Sequence, residues 1–128
     1  MTTARREPGF GEHSEAHTLF RRGVGFLDRG HPGQAAHLLE RALILEPGRN
    51  SIREALGRSL YALGEIERAA SQFEAIVAAA PDNDYAQYAL GRCLLRLGRE
   101  EEARGCLRLA AALAPRRRGY AEGPEAVD

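Results

Sequence analysis

The chain repeats itself every 34 residues. Gly23, Gly57 and Gly91 stand on this spacing, as do Gly30, Gly64 and Gly98, then Ala35, Ala69 and Ala103, then Pro47, Pro81 and Pro115. Large apolar residues keep the same grid, as Phe26, Leu60 and Leu94 and again as Leu39, Phe73 and Leu107. Six columns aligned over three copies mark an array of like units, each of which buries its apolar face only against its neighbours. Such an array presents an extended surface for holding something, and the pattern argues against a catalyst.

Within each period the apolar residues step by three and four. In the first they run Leu19, Phe20, Gly23, Val24, Phe26 and Leu27, then Ala35, Leu38, Leu39, Ala42, Leu43 and Leu45. That is the periodicity of two amphipathic helices per repeat. Helices are expected over residues 14–29, 32–46, 50–63, 66–80, 83–97 and 100–114. Gly30, Gly64 and Gly98 fall where a left-handed residue closes the first helix of each pair. Pro47, Pro81 and Pro115 follow the second, which cannot run through proline. Ser14, Asn50 and Asp82 or Asn83 are the expected N-caps. Gly23, Gly57 and Gly91 lie inside helices, where glycine costs about 1 kcal/mol against alanine. Close approach of the paired helix at Ala35, Ala69 or Ala103 is the expected compensation. Leu39, Phe73 and Leu107 are expected in the core with Phe26, Leu60 and Leu94.

Composition narrows the partners. The 128 residues fit one domain, and 44% apolar content supports a packed core. Eighteen acidic residues balance eighteen basic ones, so no net field favours nucleic acid or an anionic membrane. Every basic residue is arginine, which reads as the codon bias of a GC-rich bacterial genome. Met1 to Gly11 lacks the apolar run of a secretory signal, and no stretch reaches a membrane span's length. Cys93 and Cys106 read as free, buried thiols of a cytoplasmic protein.

The repeated residues resemble the tetratricopeptide repeat, whose pattern is W-x2-L-G-x2-Y, then A-x3-F, then P. The three copies read Leu19-x2-Arg22-Gly23-x2-Phe26, Ala35-x3-Leu39 and Pro47; Arg53-x2-Leu56-Gly57-x2-Leu60, Ala69-x3-Phe73 and Pro81; and Gln87-x2-Leu90-Gly91-x2-Leu94, Ala103-x3-Leu107 and Pro115. The leading Trp is absent throughout, and Arg22 replaces the usual Leu. The resemblance implies an all-α, right-handed solenoid of three antiparallel helix pairs over 14–115, with repeats at about 16–49, 50–83 and 84–115. Flexible segments are expected at 1–13 and 116–128, with no capping helix evident in the latter.

The resemblance further implies a concave groove lined by the first helix of each pair, which binds a peptide or a partner helix. The groove positions are His17, Phe20, Val24, Leu27 and Asp28; Ser51, Glu54, Arg58, Tyr61 and Ala62; and Tyr85, Tyr88, Arg92, Leu95 and Arg96. The first stripe is apolar beyond what a core requires. The third combines two tyrosines with two arginines, rigid contact area with bidentate carboxylate donors. Some relatives grip a chaperone's C-terminal carboxylate with Lys, Asn and Arg. The matching residues here, Phe20, Val24, Ala55, Tyr85 and Ala89, hold no such group, so that clamp is rejected.

The sequence therefore reads as a non-enzymatic protein-interaction module for a partner with acidic and apolar residues, without cofactor, metal, nucleic acid or membrane. The alternative is self-association of the uncapped last helix through Leu109 and Leu113, to a homodimer. His13 and His17, four apart beside Glu12 and Glu15, are a weak metal signal that departs from H-E-x-x-H. His31 and His37 read as solvent-exposed, and Arg116, Arg117 and Arg118 as a solvated basic tail.

Overall fold

The computed structural model describes Gly9, Gly11 and residues 14–117. These form six helices: α1 (Glu15–Asp28), α2 (Pro32–Leu45), α3 (Asn50–Ala62), α4 (Ile66–Ala79), α5 (Asp84–Arg96) and α6 (Glu100–Leu113). There is no strand among the described residues. Each observed helix falls within a residue or two of its expected bounds, because a glycine closes the first helix of every pair and a proline follows the second.

The helix ends follow from local chemistry. Ser14 Oγ accepts from the His17 backbone N–H at 3.0 Å, and Asn83 Oδ1 accepts from the Ala86 N–H at 3.0 Å. Each satisfies one of a helix's orphan donors. Asn50 is not the cap of α3. Arg49 holds that position, in extended backbone at φ −88° and ψ 114°, with no side-chain cap bond. Asn50 Oδ1 instead accepts from Arg53 Nη1 at 3.0 Å, while Arg49 Nε donates to Glu46 Oε1 at 2.6 Å. Gly30, Gly64 and Gly98 have φ of 83°, 80° and 80°. At the end of α5 the Gly98 N–H donates to Leu95 O at 3.0 Å and the Arg99 N–H to Leu94 O at 2.9 Å. That pair of bonds is the Schellman closure, which needs a left-handed residue at Gly98.

The chain divides into two compact units, residues 1–64 and 65–128. In the first, α1 packs on α2, α2 on α3, and α1 also touches α3. Its core gathers Leu19, Leu38, Ala42 and Ile52, with Phe20, Phe26 and Leu43 partly buried against them. In the second, α4 packs on α5 and α5 on α6. Phe73, Ile76, Leu90, Leu94, Ala103, Leu107 and Ala110 are buried there.

Two expectations about packing change. Leu39, Leu60, Phe73, Leu94 and Leu107 are buried, but Phe26 is only partly so. It lies under the Arg29 guanidinium at 5.0 Å and edge-on to His31 at 6.3 Å. Its register is that of the core, and it packs against Leu19, Leu38, Ala42 and Ile52, but it stands in the last turn of α1, where Arg29 and His31 of the following loop meet its ring. Leu45 belongs by spacing to the α2 apolar face and is 47% exposed, because the helix ends there. The interior glycines do permit close approach. Leucine comes nearest: a Cβ on Gly23 would stand 2.7 Å from Leu39 Cγ, and one on Gly91 2.7 Å from Leu107 Cγ, whereas the carbonyls of Ala35 and Ala103 stay at 3.4 Å.

Candidate functional site

On α5, Tyr85, Tyr88 and Arg92 are spaced by three and four, so they share one helical face. The Tyr85 ring meets Phe73 edge-on, with centroids 6.2 Å apart and planes at 73°. Tyr88 follows at 6.4 Å from Tyr85, tilted by 47°. The Arg92 guanidinium carbon lies 5.9 Å from the Tyr88 centroid, within cation–π reach. A buried phenylalanine of α4 thus braces a row of tyrosine, tyrosine and arginine that emerges toward solvent. All three emergent residues are partly buried, and Arg96, one turn further on, is exposed. The neighbouring Cys93 thiol registers both arginines. Burial pushes its pKa up to about 11, while Arg92 and Arg96 pull it down.

In the first unit, α1 and α3 carry their own stripes. Val24 and Leu27 are partly buried, and so is Phe20, which packs on the core around Leu19 and Ile52. Phe20 therefore does not turn wholly away from the core as its spacing suggests. On α3, Tyr61 is partly buried and Arg58 exposed. Burial raises the Glu54 carboxyl above its ordinary pKa, with Arg58 pulling it down. That carboxyl lies four residues from Arg58 and feels its guanidinium, a coupling that the i, i+4 spacing signals.

Elsewhere, Leu109 and Leu113 on α6 are 42% and 38% exposed. Ile44, at 78%, is the most exposed of the large apolar residues among the described ones and was missed by sequence reasoning; it sits out of phase with the buried Ala35, Leu38, Leu39 and Ala42. Arg22 lines a shallow cleft on α1 with His17, Thr18 and Arg21. His31 and His37 are exposed. Glu12, His13 and Arg118 lie outside the described residues, among which no group of three or more His, Cys, Asp or Glu could hold a metal. Arg117 Nε approaches Asp84 Oδ2 at 3.5 Å, so the arginine run after α6 is not wholly solvated. Cys93 is buried and Cys106, expected buried, is partly exposed. No described helix is long and apolar enough to cross a membrane.

No curated protein matches the sequence. Solved structures do. The first tetratricopeptide-repeat domain of Spaghetti (RPAP3), bound to the HSP90 peptide SRMEEVD, superposes with a TM-score of 0.80 at 18% identity, over 88% of this chain and 91% of that one. YrrB, a tetratricopeptide-repeat protein with an unusual peptide-binding site, gives 0.80 at 22% identity over 87% of this chain and 57% of its own. The type III secretion translocator chaperone SycD of Yersinia enterocolitica gives 0.74 at 20% identity, over 88% and 86%. The chain spans less than two thirds of several structures that it matches, YrrB among them. At these identities the likeness is one of fold. The family model described as tetratricopeptide repeat matches residues 20–84 and again 54–118. With the 34-residue grid and the six helices, that match assigns the chain to its family: it belongs to the tetratricopeptide repeat proteins.

Proposed function

We propose that this chain is a non-enzymatic interaction module, and that the α5 face of Tyr85, Tyr88, Arg92 and Arg96 takes a segment of a partner protein. The observation that carries this is the braced row from Phe73 through Tyr85 and Tyr88 to Arg92. Tyrosines held by packing lose little further freedom on binding, and an arginine stacked on a ring offers a planar fork whose geometry matches a carboxylate. The fitting ligand offers Asp or Glu beside an apolar anchor. In the first unit, Phe20, Val24 and Leu27 on α1 and Arg58 and Tyr61 on α3 are proposed as a separate contact face.

The structural neighbours support the class of ligand without naming it. Spaghetti holds an HSP90 peptide and SycD is a secretion chaperone. The positions matching a carboxylate clamp carry no cation here, and Ala55 and Ala89 are buried, so a ligand of this chain engages other residues. The free thiols and arginine-only basic complement support a bacterial, cytoplasmic setting.

Affinity on the order of micromolar is expected, because one short segment must offset its own ordering. It should fall with salt. Capture from the native cell with wild type, set against the Arg92→Glu, Arg96→Glu double variant, tests the proposal. Loss of partner with helix content intact supports it, and capture that survives the change refutes it.

A further inference from the structure

We propose that the outer face of α6 pairs with the same face of a second copy of this chain, antiparallel, about a twofold axis beside Leu109. Glu102, Gly105, Leu109 and Ala112 step by three, four and three along α6, and all are exposed. They lie opposite the buried Ala103, Leu107 and Ala110. This is the spacing of a helix–helix seam. Its small members leave room, since a Cβ built on Gly105 meets nothing within 4 Å. Leu109 and Leu113 give it two apolar side chains.

Charge selects the occupant and the direction. The helix begins with Glu100, Glu101 and Glu102, of which Glu102 stands on the seam, and is followed at its far end by Arg116 and Arg117. Glu102 and Arg116 each lie seven residues from Leu109. A twofold beside Leu109 therefore sets the acidic end of one copy against the basic end of the other, twice per dimer. A parallel pair would oppose like charges, and antiparallel helix dipoles add in the same sense. The groups remain accessible: the Glu101 side chain is 93% exposed, its ion pair with Arg104 is long at 3.7 Å, and Arg116 is exposed. Two leucines a side make a small patch, so the dimer belongs to the weak, transient class.

Sedimentation equilibrium of the full chain, at low salt and up to about 1 mM, tests this. The weight-average mass should rise from that of one 14.0 kDa chain toward that of two and stop there. Leu109→Glu should remove the rise without changing the circular dichroism. So should the Glu100→Arg, Glu101→Arg variant, which keeps Glu102 for its bond to Arg99, and so should the Arg116→Glu, Arg118→Glu variant, which keeps Arg117 for its contact with Asp84. An equimolar mixture of those two charge variants should restore the dimer, because each then meets the opposite sign at both ends. A wild type that stays monomeric, a mass that grows past the dimer, a mixture that fails to associate, or a dimer formed only after removal of residues 118–128 would each overturn the proposal. The last outcome would make the chain's own C-terminal residues the cover of this face.

Discussion

Leu107 and Gly91 touch so closely that a single added methyl would not fit: a Cβ on the glycine would stand 2.7 Å from Leu107 Cγ and 2.8 Å from its Cδ2. The same relation joins Gly23 to Leu39. Gly91→Ala gains helix propensity worth about 1 kcal/mol and must displace a fully enclosed leucine, an overpacking that costs about 1–3 kcal/mol. The net expectation is loss of stability. Gly105→Ala, with open space around it, should instead stabilise by up to about 1 kcal/mol. Urea unfolding of the two variants checks the contrast. A stabilised Gly91→Ala would show that the leucine is free to move.

Phe73 is 1% exposed and braces Tyr85. Phe73→Ala should cost about 3–5 kcal/mol, a large part of the roughly 5–15 kcal/mol that holds a small domain together. Thermal melting reads this directly, and a curve matching wild type would remove Phe73 from the core.

The two thiols should differ in reactivity. With its pKa near 11, Cys93 carries thiolate in on the order of one molecule in a thousand at pH 8, and it is buried besides. Cys106 is also raised, by burial first and then by Glu102 and Glu74, but stays partly exposed. Maleimide labelling of the native protein should modify Cys106 first and leave Cys93 until unfolding. Simultaneous labelling of both would contradict the packing around α5.

Glu54 sets a pH dependence. Its folded pKa is raised by burial, with Arg58 opposing. The folded state therefore holds this proton more tightly than the unfolded one. Its contribution is most favourable below the ordinary glutamate value of 4.5, declines as pH rises through the raised folded pKa, and then levels off. Glu54→Gln should flatten that decline in stability measured from pH 4 to 7. An unchanged profile would mean that the carboxyl is solvated in the fold.

Punctuation made the helices legible in the sequence. A glycine forced to positive φ and a proline that ends a helix are local events, so their spacing survives translation into structure. The buried columns at Leu39, Phe73 and Leu107 were equally visible, because burial on a helix face repeats with the helical period. Phe26, expected in the core, and Leu45, which shares the apolar periodicity of α2, are less buried than their register suggests for a shared reason. Periodicity reports which face a residue occupies but not whether a neighbour reaches that end of the face. The α5 row was only half legible. Spacing put Tyr85, Tyr88 and Arg92 on one face, yet the brace at Phe73 joins α4 to α5, and no pattern within either helix encodes it. The bias of Glu54 by burial and Arg58 is likewise a matter of three-dimensional surroundings.

The proposed binding face is tested most directly by selecting a displayed library of random peptides on immobilised wild type and, in parallel, on the Arg92→Glu, Arg96→Glu variant. The account predicts that wild type enriches segments with Asp or Glu beside an aromatic or aliphatic residue, and that the variant, equally helical, loses this enrichment. Enrichment of the same segments by both proteins, or none by wild type, would contradict it.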